Sequence, residues 1–195
     1  MLYAFCTKRR IVYLCHSYPE SINILSRLSL SIFLNSFLSL GKQLFSVSRY
    51  SARQIAEILW IRKKVGVIYN TALPTNKKKR NKNKRITVLT VANVEEYKNP
   101  QLWLEVATQI VINNKYIDFL WVGGGSQLKR FQKKIPEKMR DRIKFVGGKK
   151  HSVALNYYLK CHIYFHPSLM ESHGISVIEA MMAGLPCVVS NAGGI

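Results

Sequence analysis

From Ile86 onward, the chain alternates short runs of β-branched and aromatic residues with amphipathic stretches. Short apolar runs favour strands, and apolar residues that recur with a period near 3.6 favour helices. Strands that alternate with helices are typical of a parallel sheet covered by helical crossovers. The sequence therefore predicts an α/β domain over 86–195. Its strands are predicted at 86–92, 117–123, 142–147, 161–166 and 186–190. Its helices are predicted at 100–112, 152–159 and 174–183, with a further basic helix that ends at about 134.

Five strands joined by four crossovers make a nearly complete Rossmann-like domain. Its first helix begins at Pro100, because proline is favoured at the first position of a helix. The apolar positions of this helix are predicted to be Leu102, Leu104, Val106 and Ile110.

Residues 1–70 show the same alternation over a shorter length, with strands at 11–16, 42–48 and 65–70 and helices at 22–40 and 49–59. A sheet of three strands has two open edges and apolar faces that lack partners. This part is therefore predicted to be the C-terminal remnant of a second Rossmann-like domain. A basic linker at 71–85 separates it from the domain at 86–195.

The stretch from Ser21 to Leu40 is rich in leucine, isoleucine and phenylalanine, but Arg27 and several serines and asparagines interrupt it. It does not have the uninterrupted apolar length of a transmembrane helix. Its apolar residues recur at helical spacing, as in Ile22, Leu25, Leu28 and Ile32. We expect a helix packed on a sheet, and an interfacial membrane helix is the alternative.

The charge is strongly unbalanced, with 30 Lys and Arg against 10 Asp and Glu and a formal net charge of +20. Such a field attracts polyanions, including anionic lipid, nucleic acid and phosphorylated substrates. The basic run over 77–85 contains no aromatic residue that could stack on a base. We interpret this run as a solvated linker, with a polyanion-binding patch as the alternative.

Cysteines and histidines are scattered without the spacing of a metal site, so no metal is expected. Free thiols in a reducing compartment and the lack of a signal-peptide pattern predict a cytoplasmic protein. The residues concerned are Cys6, Cys15, Cys161, Cys187, His151, His162 and His166, and the three histidines are expected to be structural.

The stretch from His166 to Gly194 carries the most chemistry. Glu171 is expected in a loop at the carboxyl end of a strand, where ligands of open α/β sheets bind. The helix that follows would direct the free amides around Gly174 and Ile175 into the same crevice, as a site for phosphate. Glu179 lies one turn into that helix, and carboxylates accept hydrogen bonds from sugar hydroxyls. The alternative is that Glu171 caps the helix and Glu179 is solvated.

The spacing of Glu171 and Glu179 within ESHGISVIEAMMAGLP resembles the signature of retaining GT-B glycosyltransferases of the family-4 type. The resemblance implies that Glu171 meets the transferred sugar and that Glu179 binds the ribose. It also implies that the amides of 173–175, from His173 through Gly174 to Ile175, hold the pyrophosphate.

The same resemblance extends to the stretch VANVEEYKNP and to shorter segments elsewhere. Lys98 matches a phosphate-binding lysine of the family, whereas Asn93 stands where an arginine is usual. VGGGSQ (122–127) is similar to a glycine-bearing turn, and VGGKKHS (146–152) is similar to a loop that lines the base. IVYLCHSYPE is similar to a strand that ends in a histidine of the reaction centre, which makes His16 a catalytic candidate.

The resemblance implies a GT-B architecture and a nucleoside diphosphate sugar as donor substrate, with neither a cofactor nor a metal. The acceptor would be a glycan or a lipid-linked molecule, reached from the inner face of an anionic membrane to which the basic protein binds peripherally. The chain corresponds to about half of a family member, so we expect a fragment. An inactive truncated relative is one alternative, and a basic nucleic-acid-binding protein is another. No specific nucleic-acid partner is expected.

Overall fold

The structure, a computed structural model, describes residues 2–7, 10–15, 23–41, 43–72 and 85–195. His16 and the basic residues at 77–84 lie outside the described residues. The chain forms two compact units. The first unit comprises Met1–Asn70 together with Glu171–Gly174 and Gly193–Ile195, and the second comprises Thr71–Met170 and Ile175–Ala192.

The first unit contains a four-stranded sheet in the order β1-β2-β3-β4. The antiparallel pair β1 and β2 is followed by parallel pairing of β2 with β3 and of β3 with β4. The strands are β1 (Leu2–Thr7), β2 (Arg10–Cys15), β3 (Gln43–Ser46) and β4 (Gly66–Val67), and the helices are α1 (Ile24–Ser39) and α2 (Arg49–Ile58).

The predicted number of strands in this unit was wrong, because β1 was not anticipated. Its sequence, LYAFCT, is a short apolar run that has no partner earlier in the chain. It becomes a strand by antiparallel pairing with β2, and that pairing cannot be inferred from local periodicity. The predicted strand at 65–70 shrinks to Gly66–Val67, which pair with the end of β3.

The predicted apolar face of α1 was also wrong. The residues of α1 that are buried are Ser31, Leu34 and Leu38, which pack with α2 and β3. Leu25 is 77% exposed and Ile32 is 66% exposed, so the helix keeps a row of large apolar side chains in solvent. Among the residues that the structure describes, no helix is both long and apolar enough to cross a bilayer.

The second unit is an open sheet of five strands, all parallel, in the order β7-β6-β5-β8-β9. The bounds of its strands and helices agree with the predicted bounds to within a few residues. The strands are β5 (Ile86–Val91), β6 (Ile117–Val122), β7 (Ile143–Gly147), β8 (Ile163–His166) and β9 (Cys187–Val189), and the helices are α3 (Pro100–Asn113), α4 (Leu128–Lys134), α5 (His151–Lys160) and α6 (Ile175–Met182).

Aromatic side chains fill the core on the α3 and α4 face of this sheet. Trp103 is fully buried and packs against Phe119, Trp121 and Phe145, with ring centroids 4.9 to 5.8 Å apart. The indole N–H of Trp103 has no hydrogen-bond partner among the described residues.

Of the apolar positions predicted for α3, Leu104 is buried, and Val106 and Ile110 are partly buried against the core. Leu102 is exposed, and its neighbour Trp103, which was not among the predicted positions, is buried instead. The buried stripe of α3 consists of Trp103, Leu104, Ala107 and Val111, behind Pro100 at the start of the helix.

An ion-pair cluster fixes the start of β6. Asp118 accepts hydrogen bonds from Arg85 at 2.8 and 2.6 Å and from Arg142 at 3.3 Å. Arg142 also donates to the backbone carbonyls of Val111 and Ile117. Partial burial would raise the pKa of Asp118, but the hydrogen bonds from the two guanidinium groups outweigh it and hold that pKa below its usual value.

Replacing Trp103 tests the aromatic core. We expect Trp103→Ala to lower the free energy of unfolding by about 3 to 5 kcal/mol, since it leaves a cavity among three aromatic rings. Trp103→Phe should cost less than half as much, because it also removes a buried N–H that has no partner. Urea unfolding followed by far-UV circular dichroism measures both. Equal losses for the two variants would contradict this account of the core.

The lowered pKa of Asp118 predicts a pH-dependent contribution to stability. A carboxylate whose pKa is depressed by folding stabilises the protein above its unfolded pKa, and this contribution is lost as the pH falls through the folded pKa. Asp118→Asn should therefore lower the free energy of unfolding by about 1 kcal/mol at pH 7. The difference should shrink as the pH falls below the usual pKa of an aspartate and disappear once it is below the lowered pKa of Asp118 in the folded protein. Asp141→Asn, at an exposed position, is the matched control and should have little effect at either pH.

Candidate functional site

The order of strands in the second unit reverses beside β5. From β5 the chain moves outward through β6 to β7 on one side, and then returns to β8 and β9 on the other. The loops that leave β5 and β8 are joined by a 2.8 Å hydrogen bond from the Leu169 N–H to the Tyr97 carbonyl. Ligands of open α/β sheets bind at this kind of switch point, outside the carboxyl ends of the strands.

The loop after β5 carries Asn93 and Lys98. Asn93 is exposed, and Lys98 ends a 3-10 turn that begins at Glu96. The Lys98 ammonium lies 5.0 Å from the ring centroid of Tyr97. Asn99 then adopts a left-handed conformation, and its side chain caps α3. The cap fixes the point where the loop ends, and with it the position of Lys98 at the edge of the sheet.

The glycines after β6 are explained by backbone packing. A Cβ atom at Gly123 would lie 1.8 Å from the Ala92 carbonyl oxygen, and one at Gly125 would lie 2.6 Å from that of Val94. Both glycines have positive φ. The turn after β6 therefore approaches the loop after β5 more closely than any residue with a side chain would allow.

A carboxylate locks this turn in place. Glu95 accepts hydrogen bonds from the hydroxyl of Ser126 at 2.7 Å and from its backbone N–H at 2.6 Å. These bonds lower the pKa of Glu95. Glu95 thus serves to hold two loops together at the carboxyl edge of the sheet.

Glu179 is a buried carboxylate with two anchors. Only 6% of the residue is exposed, although it lies in an eight-residue helix at the edge of the sheet. His151 Nε2 lies 2.6 Å from one carboxylate oxygen, and the Tyr158 hydroxyl donates to the other at 2.9 Å. The alternative that Glu179 is solvated was therefore wrong, because α5 covers it.

Sequence reasoning treated His151 as structural and did not single out Tyr158. The available signal was their spacing, since residues seven apart lie on the same face of a helix. Burial, with smaller contributions from Tyr164 and Glu179, raises the pKa of Tyr158 far above its ordinary value. Tyr158 therefore stays protonated and remains a hydrogen-bond donor to Glu179.

Of the other two histidines of this unit, His166 ends β8 and His162 directly precedes it. His166 is buried, with Tyr164 at 3.2 Å from Nδ1 and Ser168 at 3.0 Å from Nε2. His162 accepts a hydrogen bond from the backbone N–H of Thr87. Both imidazoles take part in hydrogen bonds that join neighbouring strands or the loop after β8.

The segment Glu171–Gly174 belongs to the first unit. Glu171 is buried, and its carbonyl accepts a 2.8 Å hydrogen bond from the Gly194 N–H. The Ser48 hydroxyl, which caps α2, donates to the Ser172 carbonyl at 2.5 Å. A Cβ atom at Gly194 would lie 2.1 Å from that same carbonyl oxygen, so the two short segments of this unit pack backbone against backbone.

His173 and Gly174 complete this segment. His173 Nε2 donates to the Asn70 carbonyl at 3.0 Å, which leaves Nδ1 as a buried nitrogen without a partner among the described residues. Gly174 has a φ of 67°, which favours glycine. This left-handed residue directly precedes Ile175, where α6 begins with amides that have no partner inside the helix.

The predicted site residues therefore divide between the units. Asn93, Lys98, Ile175 and Glu179 belong to the second unit, and Glu171–Gly174 belongs to the first. In the described part of the chain, no three His, Cys, Asp or Glu side chains are grouped so that they could hold a metal ion.

Two relatives illustrate the sequence similarity. The Phosphatidylinositol N-acetylglucosaminyltransferase gpi3 subunit of Schizosaccharomyces pombe is 26% identical over 113 residues, covering 56% of this chain and 24% of that protein. The UDP-Gal:alpha-D-GlcNAc-diphosphoundecaprenol alpha-1,3-galactosyltransferase of Escherichia coli is 30% identical over 101 residues. This match covers 50% of this chain and 26% of that protein. The chain thus spans about a quarter of the length of these curated relatives.

Solved structures share the fold. A glycosyltransferase from Rickettsia africae superposes with a TM-score of 0.74 at 19% identity, covering 94% of this chain and 52% of that one. Anabaena Alr3699/HepE, solved in complex with UDP and glucose, superposes with a TM-score of 0.73 at 18% identity. The match covers 96% of this chain and 54% of that one. The predicted fold class, an α/β GT-B architecture built on Rossmann-like sheets, is confirmed.

The family comparison covers most of the second unit. The model described as Glycosyl transferases group 1 matches residues 74–195, which include both glutamates, Lys98 and the glycine turn. This match extends over more than half of the chain. On this evidence the chain belongs to the glycosyl transferases group 1 family.

Proposed function

We propose that this chain supplies the donor-binding part of a retaining glycosyltransferase, which transfers a sugar from a nucleoside diphosphate sugar to a glycan or a lipid-linked acceptor. The observation that carries the proposal is the buried carboxylate of Glu179, anchored on both oxygens at the carboxyl edge of a doubly wound sheet. Burying a carboxylate is costly unless its oxygens are satisfied. We take the burial of this carboxylate, despite its cost, as support for a role in binding a specific ligand.

The ribose of the donor suits Glu179. Each carboxylate oxygen has room for two donors, and α5 supplies one donor to each. The remaining lone pairs match two neighbouring hydroxyls, as in the 2′,3′-diol of a ribonucleotide. Hydrogen bonds to an ionised acceptor are stronger than those between neutral groups.

The phosphates of the donor suit the start of α6 and Lys98. The first amides of α6, beginning at Ile175, carry the partial positive charge of a helix N-terminus. His173 and Gly174 contribute the amides before it. Lys98 supplies one cation, and Asn93 offers an amide in place of a second cation. Electrostatic stabilisation of the departing diphosphate would then come from these groups, without a cofactor or metal.

The remaining roles follow the same proposal. The resemblance assigns the transferred sugar to Glu171, and His16, the other catalytic candidate, lies outside the described residues. The relatives named above act, by their names, on a phosphatidylinositol and on a diphosphoundecaprenol-linked sugar. An acceptor linked to an anionic lipid is therefore the class that we favour.

Donor binding is tested by calorimetric titration of the chain with UDP, GDP and ADP and with their glucose esters. We expect Glu179→Gln to weaken binding of the preferred nucleotide by about 10- to 100-fold, the equivalent of one or two hydrogen bonds to a charged group. Glu171→Ala should leave nucleotide affinity unchanged and remove only the extra affinity contributed by the sugar.

Glu105→Gln is the matched control, because Glu105 is an exposed glutamate of the same unit. It should bind as the unchanged chain does. Absence of binding to every nucleotide and sugar nucleotide would contradict the proposal and favour an inactive truncated relative. Affinity for RNA or DNA that persists at physiological salt would instead favour a nucleic-acid-binding protein.

We further propose that the first unit binds peripherally to an anionic membrane. The solvent side of α1 exposes large apolar side chains in a protein of net charge +20. A helix of this kind lies in the plane of a membrane surface when cations surround it. The exposed apolar residues of α1 are Ile24, Leu25, Leu28, Ile32 and Phe33.

Two open grooves of the first unit are lined by cations, and one of them borders α1. A groove of about 620 Å³ lies between Ile32 of α1 and the residues Trp60, Arg62 and Lys63. Lys63 also borders a second groove, of about 710 Å³, whose floor is small or apolar. Besides Lys63, the cations that line the second groove are Arg49, Arg53 and Lys64.

The cations that line the two grooves are exposed. Among the residues that the structure describes, none of these cations forms an ion pair with a carboxylate. Arg49 and Arg53 lie one turn apart near the N-terminus of α2, where the helix dipole and their mutual repulsion are both unfavourable. Anionic headgroups would relieve both effects, while Trp60, half exposed beside α1, suits a membrane interface.

Liposome flotation tests the membrane proposal. The chain should float with vesicles of phosphatidylcholine and phosphatidylglycerol and not with phosphatidylcholine alone. Arg62→Glu with Lys64→Glu should weaken binding by tenfold or more, since each cation near the surface contributes about 1 kcal/mol. Lys129→Glu with Arg130→Glu, in α4, gives the same change in net charge and should weaken binding less. Equal effects of the two pairs would contradict a specific surface.

A further inference from the structure

The two side chains that hold Glu179 differ in their surroundings. Tyr158 is fully buried, so its hydroxyl is a fixed donor from the interior. His151 is the first residue of α5, and its side chain is 62% exposed. The Glu179 carboxylate therefore has a closed side at Tyr158 and an accessible side at His151.

We infer that His151 and Tyr158 are positioning residues which orient the Glu179 carboxylate toward the 2′,3′-diol of a nucleoside ribose, so that ribonucleotides are preferred over their 2′-deoxy counterparts. This inference rests on the proposed function, and it assigns to α5 a role in donor selection. The geometry that carries it is the pair of contacts at 2.6 and 2.9 Å, one to each carboxylate oxygen.

Two anchors are needed to fix the plane of a carboxylate. With a single anchor, the group can rotate about its terminal torsion, which is broad for glutamate. With one donor on each oxygen, rotation breaks a hydrogen bond, and the free lone pairs keep their direction. A diol needs both lone pairs at once, whereas a single hydroxyl needs only one.

Position in the fold also favours a ligand-directed role. Tyr158 alone satisfies the buried side of Glu179 and packs with Tyr164, so the contact between α5 and α6 does not require His151. A contact that served packing alone would lie in the interior with Tyr158. His151 instead adds a donor at the solvent side, where a nucleotide would enter.

The experiment titrates the chain with UDP and with 2′-deoxy-UDP by calorimetry. Unchanged protein should prefer UDP by about tenfold, because the deoxy ligand leaves one acceptor of the site unpaired. His151→Ala should bring the two affinities within about twofold of each other by weakening UDP alone. His151→Gln, whose amide can still donate, should restore most of the preference, and Tyr158→Phe should reduce it.

Lys160→Ala, at an exposed position on the last turn of α5, is the control and should keep the preference of the unchanged chain. Thermal midpoints check that each variant is folded, and His151 is exposed enough to be replaced without loss of the core. If His151→Ala weakens both ligands equally or neither, the inference is overturned.

The proposed function fails in a different way. If Glu179→Gln leaves the preference for UDP intact, or if neither ligand binds the unchanged chain, the assignment of the ribose to Glu179 is wrong and the inference falls with it. If Glu179→Gln abolishes the preference while the His151 variants retain it, only the positioning role is overturned.

Discussion

The second unit depends on the pairing of β5 with a parallel strand on each side. β6 lies on one side and β8 on the other, and the chain reaches them through crossovers of opposite direction. Right-handed crossovers then place helices on both faces of the sheet. The loops after β5 and β8 meet at the carboxyl edge of the sheet, where the Leu169 N–H donates to the Tyr97 carbonyl. The residues of the candidate site in this unit follow from that one pairing.

The cost of burying Glu179 explains much of the surrounding structure. A carboxylate with 6% exposure must be satisfied by donors, and α5 provides them from positions seven residues apart. A leucine at position 179 would avoid the desolvation cost of a buried carboxylate, since α5 and α6 otherwise meet through apolar side chains. The chain instead retains a carboxylate with its own hydrogen-bond partners, which supports the proposed ligand-binding role.

Periodicity and motif spacing predicted most of the second unit, because each element there is local and its partner is the next element in the chain. The predictions from sequence were wrong where contacts between residues far apart in the chain determine the structure. Trp103 was not predicted as the central core residue of α3, and the strand Leu2–Thr7 forms by its pairing with β2. The glutamates were found through a resemblance. The contact of His151 with Glu179 was not predicted, because the seven-residue spacing of His151 and Tyr158 does not identify a carboxylate 28 positions after the histidine.

The spacing of the anchors on α5 has a consequence for sequence change. An α-helix turns by about 100° per residue, so inserting or deleting one residue between His151 and Tyr158 would rotate one anchor away from α6. Several of the intervening side chains are exposed and free to vary, but their number is fixed. Substitutions at the exposed positions of this stretch should be tolerated and those at positions packed on the core less so, while an insertion or deletion should misalign the two anchors.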